Sequence, residues 1–151
     1  HRDLHSFPTR RSSDLNIAIL YIDLDGFKQV NDQHGHAIGD AVLCKVSERI
    51  RTILREVDIT ARFGGDEFVT ALQVLEQPDA ALQVAERLLE ALSVPFNQDG
   101  QLLSIGASIG IAEYDPRLES NIDQTIRRAD QALYQAKREG KNRVIVSSRH
   151  S

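Results

Sequence analysis

The sequence predicts an α/β domain in which helices cover a mixed β-sheet. Strand and helix patterns follow one another in the order β-α-β-β-α-β-α-β, which is typical of layered α/β folds. Residues 16–25 form an almost continuous apolar run, and Gly64-Gly65 separates two strand-like segments as in an antiparallel hairpin. The length of 151 residues fits one domain of this kind.

The first half of the chain supplies the sheet centre and the hairpin. The run NIAILYIDLD (16–25) ends in two acids and is typical of a strand buried on both faces. Residues 39–56 repeat apolar side chains at helical spacing, with Asp40 in the first turn or at the cap. Residues 58–63 and 66–74 are the predicted strands on either side of the two-residue Gly64-Gly65 turn.

The second half alternates helices and strands. Residues 78–92 open with Pro and Asp and then repeat apolar residues every three to four positions, which predicts a helix. Residues 101–114 read as one strand, in which Gly106 and Gly110 indicate a bend or a close backbone approach. A helix over 121–140 and a short strand over 142–147 complete the domain.

Composition and charge limit the classes of function. The net charge of −4, from 18 basic and 22 acidic residues, argues against a protein that coats nucleic acid. The sequence has neither an apolar run near the roughly 20 residues of a membrane span nor a secretory signal, so we expect no membrane contact by this domain. The single cysteine, Cys44, cannot form an internal disulfide; its helical pattern predicts a core position and a cytoplasmic setting.

The two ends of the chain differ from the middle. Residues 1–15 (HRDLHSFPTRRSSDL) are basic, rich in Ser and His, and lack a helical or strand period. They fit either a disordered lead-in or a non-native segment that resembles a translated sequencing adapter joined to a truncated reading frame. We favour the second interpretation and assign the domain to residues 16–148, with 149–151 as a tail.

Four acids are candidates for one metal site. Asp23 and Asp25 share a side of the first strand, because strand side chains alternate, and Asp66 and Glu67 follow the hairpin glycines. If the hairpin lies beside the first strand, the carboxylates approach one another and need protons or a cation between them. Oxygen ligands beside a phosphate substrate favour Mg²⁺ or Mn²⁺, and two such ions serve in-line attack at phosphorus. Acids that simply face water remain the alternative interpretation.

Several motifs together resemble one family. RFGGDEF (62–68) resembles the signature of the GGDEF domain of bacterial diguanylate cyclases. YIDLDGFKQVNDQHGHAIGDAVL (21–43) resembles the strand-to-helix motif of that family, SIGIA (108–112) its later strand, and ADQALYQAKREGKNRV (129–144) its final helix and turn. The matches are collinear and cover about residues 16–147.

The resemblance implies a fold and an activity. The fold is a ferredoxin-like α/β sandwich, similar to the palm of nucleotidyl cyclases, with an antiparallel hairpin in its mixed sheet. The activity is the condensation of two GTP into cyclic di-GMP and two pyrophosphates, by a homodimer that holds one GTP per domain. Family members carry a helix before the first strand and sensory or receiver domains further upstream. Residues 16–148 would therefore be an N-terminally truncated catalytic domain.

The resemblance also assigns roles to individual residues. Asp23, Asp66 and the main-chain carbonyl of Leu24 would bind two Mg²⁺ or Mn²⁺ ions, and Asp66 and Glu67 would act in catalysis. Nine residues would contact the substrate at the guanine edge or the phosphates: Phe27, Lys28, Asn31, His36, Asp40, Gly64, Gly65, Lys137 and Lys141. Lys141 stands where the family more usually has Arg, which keeps the charge but loses the bidentate fork.

A second site and a second function follow from the same resemblance. REVD (55–58) resembles the R-x-x-D inhibitory site, in which Arg55 and Asp58, with Arg62 nearby, would bind the product. An Arg at a helix end and an Asp that opens a strand are the structural alternative. A non-catalytic domain that binds GTP or cyclic di-GMP is the alternative function, and a palm that uses another nucleotide is a remoter one. The complete set of Asp23, Asp66 and Glu67 favours the cyclase.

Overall fold

The computed structural model describes residues 16–74 and 79–148, so the interpretations of residues 1–15 and 149–151 lie outside the described residues. Seven strands and four helices lie within these two ranges. In chain order they are β1 (Asn16–Asp25), α1 (Phe27–His34), α2 (His36–Ile53), β2 (Ile59–Arg62), β3 (Glu67–Val74), α3 (Ala80–Ser93), β4 (Phe96–Gln98), β5 (Gln101–Leu103), β6 (Gly106–Tyr114), α4 (Ile122–Arg138) and β7 (Val144–Val146).

The main sheet is mixed and has β1 at its centre. Its strand order is β2-β3-β1-β6-β7. β1 pairs antiparallel with β3 and β6, and β2 pairs antiparallel with β3, while β6 and β7 are parallel. The predicted α/β fold, with a mixed sheet and an antiparallel hairpin, is confirmed.

The core lies on both faces of β1, as its apolar run predicts. Leu20 and Ile22 face α1, α2 and α3 and are fully buried among side chains of those helices. Ile19 and Tyr21 face the other way and pack with residues of α4. Because neighbouring side chains of a strand point to opposite faces, only a continuous apolar run can fill both layers.

Gly110 is the point at which α4 rests on the sheet. A Cβ atom at Gly110 would lie 2.1 Å from the carbonyl oxygen of Ala129 and 2.4 Å from the amide nitrogen of Leu133. The backbone of α4 therefore contacts β6 directly, which confirms the close approach predicted at this glycine. This contact sets the height of α4 above the sheet and hence the position of the side chains at its C-terminal end.

The segment 101–114 is two strands, so the prediction of one long strand is wrong. β5 is not part of the main sheet and pairs antiparallel with β4. β6, which belongs to the main sheet, begins only at Gly106. Asp99 and Gly100 form the turn between β4 and β5, with φ values of 53° and 84°. Two successive left-handed residues are the backbone that a two-residue hairpin needs.

The region after β1 contains a helix that the sequence did not predict. Gly26 (φ 85°) ends β1, α1 follows at once, and Gly35 (φ 90°) separates α1 from α2. Because α2 begins at His36, Asp40 lies in its second turn and not in the first turn or at the cap. Cys44 of α2 is exposed, so its predicted core position is also wrong.

The hairpin between β2 and β3 is wider than predicted. Four residues, 63–66, connect the strands, and the amide groups of Phe63 and Gly64 both donate to the carbonyl oxygen of Glu67, at 2.8 and 3.4 Å. Neither Gly64 nor Gly65 has a positive φ, so the two-residue turn is not formed. None of the described helices is both long and apolar enough to cross a membrane.

Candidate active site

The hairpin tip lies beside the C-terminal end of β1. Asp23 pairs with Glu67 in the β1–β3 ladder, so their backbones are direct neighbours. The amide group of Leu24 donates to the carbonyl oxygen of Asp66 at 3.1 Å, which extends this pairing by one residue. Strand alternation turns Asp23 and Asp25 toward the α4 side of the sheet. The four acids singled out in the sequence therefore come from two adjoining chain segments.

Lys137 contributes a positive charge to this edge of the sheet. It lies in the last turn of α4, and its Nζ is 2.6 Å from Asp25 Oδ1 and 3.5 Å from Asp23 Oδ2. Burial acts to lower the pKa of Lys137, but the hydrogen bond to Asp25 and the charges of Asp23 and Asp25 outweigh it and raise the pKa. Lys137 is therefore charged at neutral pH.

The Asp23 carboxylate is buried without a full set of hydrogen-bond partners. Its Oδ1 atom is buried and has no hydrogen-bond partner within the described residues. Burial is the main cause that raises the pKa of Asp23 to about 6, and the charges of Asp66 and Glu67 add to it, while Lys137 opposes it. A buried oxygen that favours neutralisation is a suitable ligand for a cation.

Glu67 has a partner that sequence reasoning did not find. The Tyr21 hydroxyl donates to Glu67 Oε1 at 3.2 Å. Burial, and then the charge of Glu67, raise the pKa of Tyr21 to about 12, so the hydroxyl keeps its proton. The available signal was strand alternation, which puts Tyr21 on the same face as Asp23, two residues earlier.

The donor set fits a hard divalent cation. The candidate ligands are oxygens of Asp23 and Asp66 and the main-chain carbonyl of Leu24, and Asp23 Oδ1 has no other described partner. Among the described residues, no group of three or more His, Cys, Asp or Glu side chains is arranged to hold a metal ion. Mg²⁺ commonly takes one or two carboxylates and completes its shell with water and substrate phosphates.

A second region brings two predicted guanine contacts together. A Cβ atom at Gly39 would lie 1.8 Å from Asn31 Oδ1, so the Asn31 amide packs directly on the backbone of α2. Its Oδ1 is buried and has no hydrogen-bond partner in the described part of the chain. Asp40, next to Gly39, is exposed, and His36 is exposed in the first turn of α2.

The remaining predicted substrate contacts fall into two groups. Phe27 is only 5 % exposed and packs in the core. Lys28 and Lys141 are exposed, and Gly65 faces open space, since a Cβ there would meet nothing within 4 Å. A Cβ at Gly64 would lie 3.1 Å from Glu67 Oε1.

The predicted inhibitory residues are only partly brought together. Arg55 and Asp58 form an ion pair at 3.1 Å, and the Arg55 amide also donates to Asp58 Oδ2 at 2.9 Å. They line a pocket of about 460 Å³ with Arg51. Arg62 lies at the far end of β2, about 13 Å along an extended strand from Asp58, and its guanidinium donates to the carbonyl of Gly64 at 3.0 Å.

The fold and the site define the class of protein. The protein is an α/β domain with an acidic candidate site. The acids lie at one end of the central antiparallel strands, beside a lysine from the covering helix. The chain matches the model of the diguanylate cyclase GGDEF domain over residues 5–143. The protein belongs to the GGDEF domain family.

Similar proteins agree with this assignment. The bifunctional diguanylate cyclase/cyclic di-GMP phosphodiesterase MucR of Pseudomonas aeruginosa is 45% identical over 129 residues, which are 85% of this chain and 18% of MucR. Diguanylate cyclase A of Treponema denticola is 42% identical over 134 residues, which are 87% of this chain and 35% of that protein. The chain thus spans between about one-fifth and one-third of the length of these two relatives.

Solved structures match along most of their length. The GGDEF domain of TpbB (YfiN) from Pseudomonas aeruginosa superposes with a TM-score of 0.83 at 38% identity, covering 89% of this chain and 83% of that one. The GGDEF domain of DgcB from Caulobacter crescentus, determined in complex with cyclic di-GMP, has a TM-score of 0.79 at 31% identity, covering 87% and 78%.

Proposed function

We propose that this domain is a diguanylate cyclase, which condenses two GTP into cyclic di-GMP and releases two pyrophosphates. The observation that carries the proposal is the Leu24–Asp66 hydrogen bond of 3.1 Å, beside the paired Asp23 and Glu67. It puts both chain segments of the acidic set at one place. The names of relatives, such as diguanylate cyclase A, support the same activity.

Divalent cations are the proposed cofactor. Two Mg²⁺ or Mn²⁺ ions, held by Asp23, Asp66 and the Leu24 carbonyl, would polarise the phosphate oxygens and the attacking hydroxyl. The buried Asp23 Oδ1, which has no described partner, supports this assignment. Few protein ligands are expected for Mg²⁺ when phosphates and water complete its shell.

The nucleotide would lie between the two regions of the site. Asp40 would accept hydrogen bonds from the guanine N1–H and N2–H groups, and the buried Asn31 Oδ1 lacks a partner that a guanine amine would supply. His36 would lie at the rim of the same pocket. Lys137 and Lys141 would bind the terminal phosphates, and the nearby main chain of Gly64 and Gly65 leaves room for the triphosphate.

The reaction needs a hydroxyl from a second nucleotide. Its 3′-oxygen forms a bond to the α-phosphorus, the bond from that phosphorus to the bridging oxygen breaks, and pyrophosphate leaves. The hydroxyl proton passes to one carboxylate at the hairpin tip, that of Asp66 or that of Glu67. Because each domain binds one GTP, a homodimer would bring the two nucleotides face to face.

Product binding at Arg55 and Asp58 would provide feedback inhibition. The pocket of about 460 Å³ beside them, with Arg51 on its wall, offers cations for the phosphates of cyclic di-GMP. The same pocket would serve a non-catalytic cyclic di-GMP receptor, which is the alternative function. We place the domain in the cytoplasm, under the control of sensory or receiver domains of a longer protein.

The deciding experiment is incubation of the protein with GTP and Mg²⁺, followed by chromatographic separation of the products. Cyclic di-GMP should form, and EDTA or Asp66→Ala should abolish it. Asp66→Ala retains the main-chain bond to Leu24, so the fold should survive, and Glu90→Ala at an exposed position of α3 is a matched control. A wild-type protein that binds cyclic di-GMP but makes none would support the receptor instead.

The inhibitory site has its own test. Addition of cyclic di-GMP should slow the wild-type reaction. Arg55→Ala should raise the cyclic di-GMP concentration needed for inhibition about tenfold, because a charged hydrogen-bond donor is lost. Arg62→Ala makes the same change of charge at the third predicted residue of the site. If cyclic di-GMP inhibits the wild type, Arg55→Ala and Arg62→Ala equally, the inhibitory site is removed from the proposal.

A further inference from the structure

Asp25 joins three separate parts of the fold through one carboxylate. Its Oδ1 lies 2.6 Å from Lys137 Nζ of α4, and the Ser108 hydroxyl of β6 donates to the carboxylate at 2.9 and 3.1 Å. The main-chain amide of Asn142, between α4 and β7, donates to Asp25 Oδ2 at 2.9 Å. The side chain is 11% exposed. Family resemblance gave Asp25 no role.

The turn that Asp25 holds has an unusual backbone. Gly140, Lys141 and Asn142 have φ values of 124°, 66° and 52°, so three successive residues lie in the left-handed region. Asn enters this region more readily than most residues, but a lysine there is uncommon and needs surrounding contacts to hold it. The Lys141 amide donates to the Ala136 carbonyl at 2.9 Å, and the bond from Asn142 to Asp25 fixes the next residue.

Asp23 and Asp25 differ in what their oxygens contact. Both oxygens of Asp25 accept hydrogen bonds from the protein, whereas Asp23 Oδ1 is buried without a partner in the described chain. A carboxylate with both oxygens engaged has little capacity for a metal ion. Asp25 is therefore suited to orient its donors, while Asp23 is suited to bind a cation.

We propose that Asp25 is a positioning residue, which sets Lys137 and the turn of Lys141 to bind the polyphosphate end of the nucleotide. The inference rests on the proposed function, because both lysines are its proposed phosphate contacts. A lysine ammonium has three N–H donors. One N–H of Lys137 donates to Asp25, and a second is directed toward Asp23. The third N–H is therefore held in a fixed direction, in which it can bind an anion.

The test is a comparison of two nucleotides that differ in their phosphates. The binding of 3′-deoxy-GTP, which lacks the attacking hydroxyl, and of GMP is measured by calorimetry with Mg²⁺ for the wild type and Asp25→Asn. Loss of one charged hydrogen bond predicts about tenfold weaker 3′-deoxy-GTP binding, and less than about twofold change for GMP, which has no β- or γ-phosphate.

A second variant pair shows through which residue Asp25 acts. In the Lys137→Met background, Asp25→Asn should weaken 3′-deoxy-GTP binding by less than about threefold, since partners in one network are not additive. Ser108→Ala removes one donor to Asp25 and keeps the buried Cβ. It should give the same nucleotide-selective loss on a smaller scale, and it decides the question if Asp25→Asn does not fold.

The outcomes separate this inference from the proposed function. Unchanged 3′-deoxy-GTP binding by Asp25→Asn, or equal losses for both nucleotides, would overturn the positioning role even if the wild type makes cyclic di-GMP. A selective loss in a protein that makes no cyclic di-GMP would support the positioning role and refute the cyclase. Wild-type protein that binds neither nucleotide would overturn both.

Discussion

The Asp23 carboxylate should destabilise the metal-free protein at neutral pH, so Asp23→Asn should make the fold more stable. Burial is the first cause that raises the pKa of Asp23, from 3.8 to about 6, and Asp66 and Glu67 add to it. Its Oδ1 atom has no hydrogen-bond partner in the described residues. Asn has nearly the same shape as the protonated acid and carries no charge.

The size and the pH range of this effect follow from linkage. The folded protein holds the Asp23 proton more tightly than the unfolded chain, so the stability that it contributes is complete below about pH 4 and is lost as the pH rises through about 6. One pH unit corresponds to about 1.4 kcal/mol, which sets an upper limit of about 3 kcal/mol. Solvent screening of the partly exposed side chain reduces our expectation to about 1–2 kcal/mol.

The assay is urea unfolding in EDTA, at pH 7.5 and at pH 4, for the wild type and Asp23→Asn. The variant should be more stable at pH 7.5 by about 1–2 kcal/mol, and the difference should vanish near pH 4. Asp25→Asn is the matched control, because the same change there removes the negative charge that pairs with Lys137 at 2.6 Å and should destabilise the protein. The wild type should recover stability with Mg²⁺ and 3′-deoxy-GTP, whereas Asp23→Asn should recover much less.

Two results would refute the reasoning. If Asp23→Asn is less stable than the wild type at pH 7.5, the 3.5 Å contact with Lys137 outweighs burial. If the difference between the two proteins is the same at pH 7.5 and pH 4, the effect does not come from the carboxylate charge. Either result would also remove the argument that the buried Asp23 carboxylate needs a bound cation to compensate its charge.

Three further substitutions have separate expected outcomes. Tyr21→Phe removes the 3.2 Å bond to Glu67 and should lower kcat for cyclic di-GMP formation about tenfold with little change in the KM for GTP; an unchanged kcat would deny Tyr21 a role. Gly110→Ala puts a Cβ 2.1 Å from an α4 carbonyl and should cost about 3 kcal/mol in urea unfolding, whereas Gly65→Ala, in open space, should cost under about 1 kcal/mol. Lys141→Arg should tighten 3′-deoxy-GTP binding about threefold in calorimetry, because a guanidinium contacts phosphate with two donors; weaker binding would contradict this.

The sequence predicted those features that depend on local pattern. The run of β1 placed this strand at the sheet centre, since only a doubly buried strand is apolar at nearly every position. Gly110 indicated the contact with α4, and the acids after Gly64-Gly65 indicated which end of β1 carries the site. Each of these inferences uses one strand and its immediate neighbour.

The missed elements had too little pattern to be recognised. α1 has eight residues, of which Phe27 and Val30 are buried, and two apolar positions do not establish a helical period. β4 and β5 have three residues each, too few to show alternation, although Asp99-Gly100 carried the signal for their turn. The wide hairpin loop was missed because the two glycines do not adopt the positive φ that the prediction assumed.

The different chemistry of Asp23 and Asp25 could not be read from the sequence, because partners from distant elements decide it. Strand alternation puts both carboxylates on one side, so by local pattern they are equivalent. In the fold, Asp23 lies opposite Glu67 of β3, and its charge meets a like charge. Asp25, two residues further, lies beyond the end of the β1–β3 ladder and contacts donors of β6, α4 and the turn before β7. Register and the height of α4 above Gly110 therefore make one aspartate a candidate metal ligand and the other a support for the lysines.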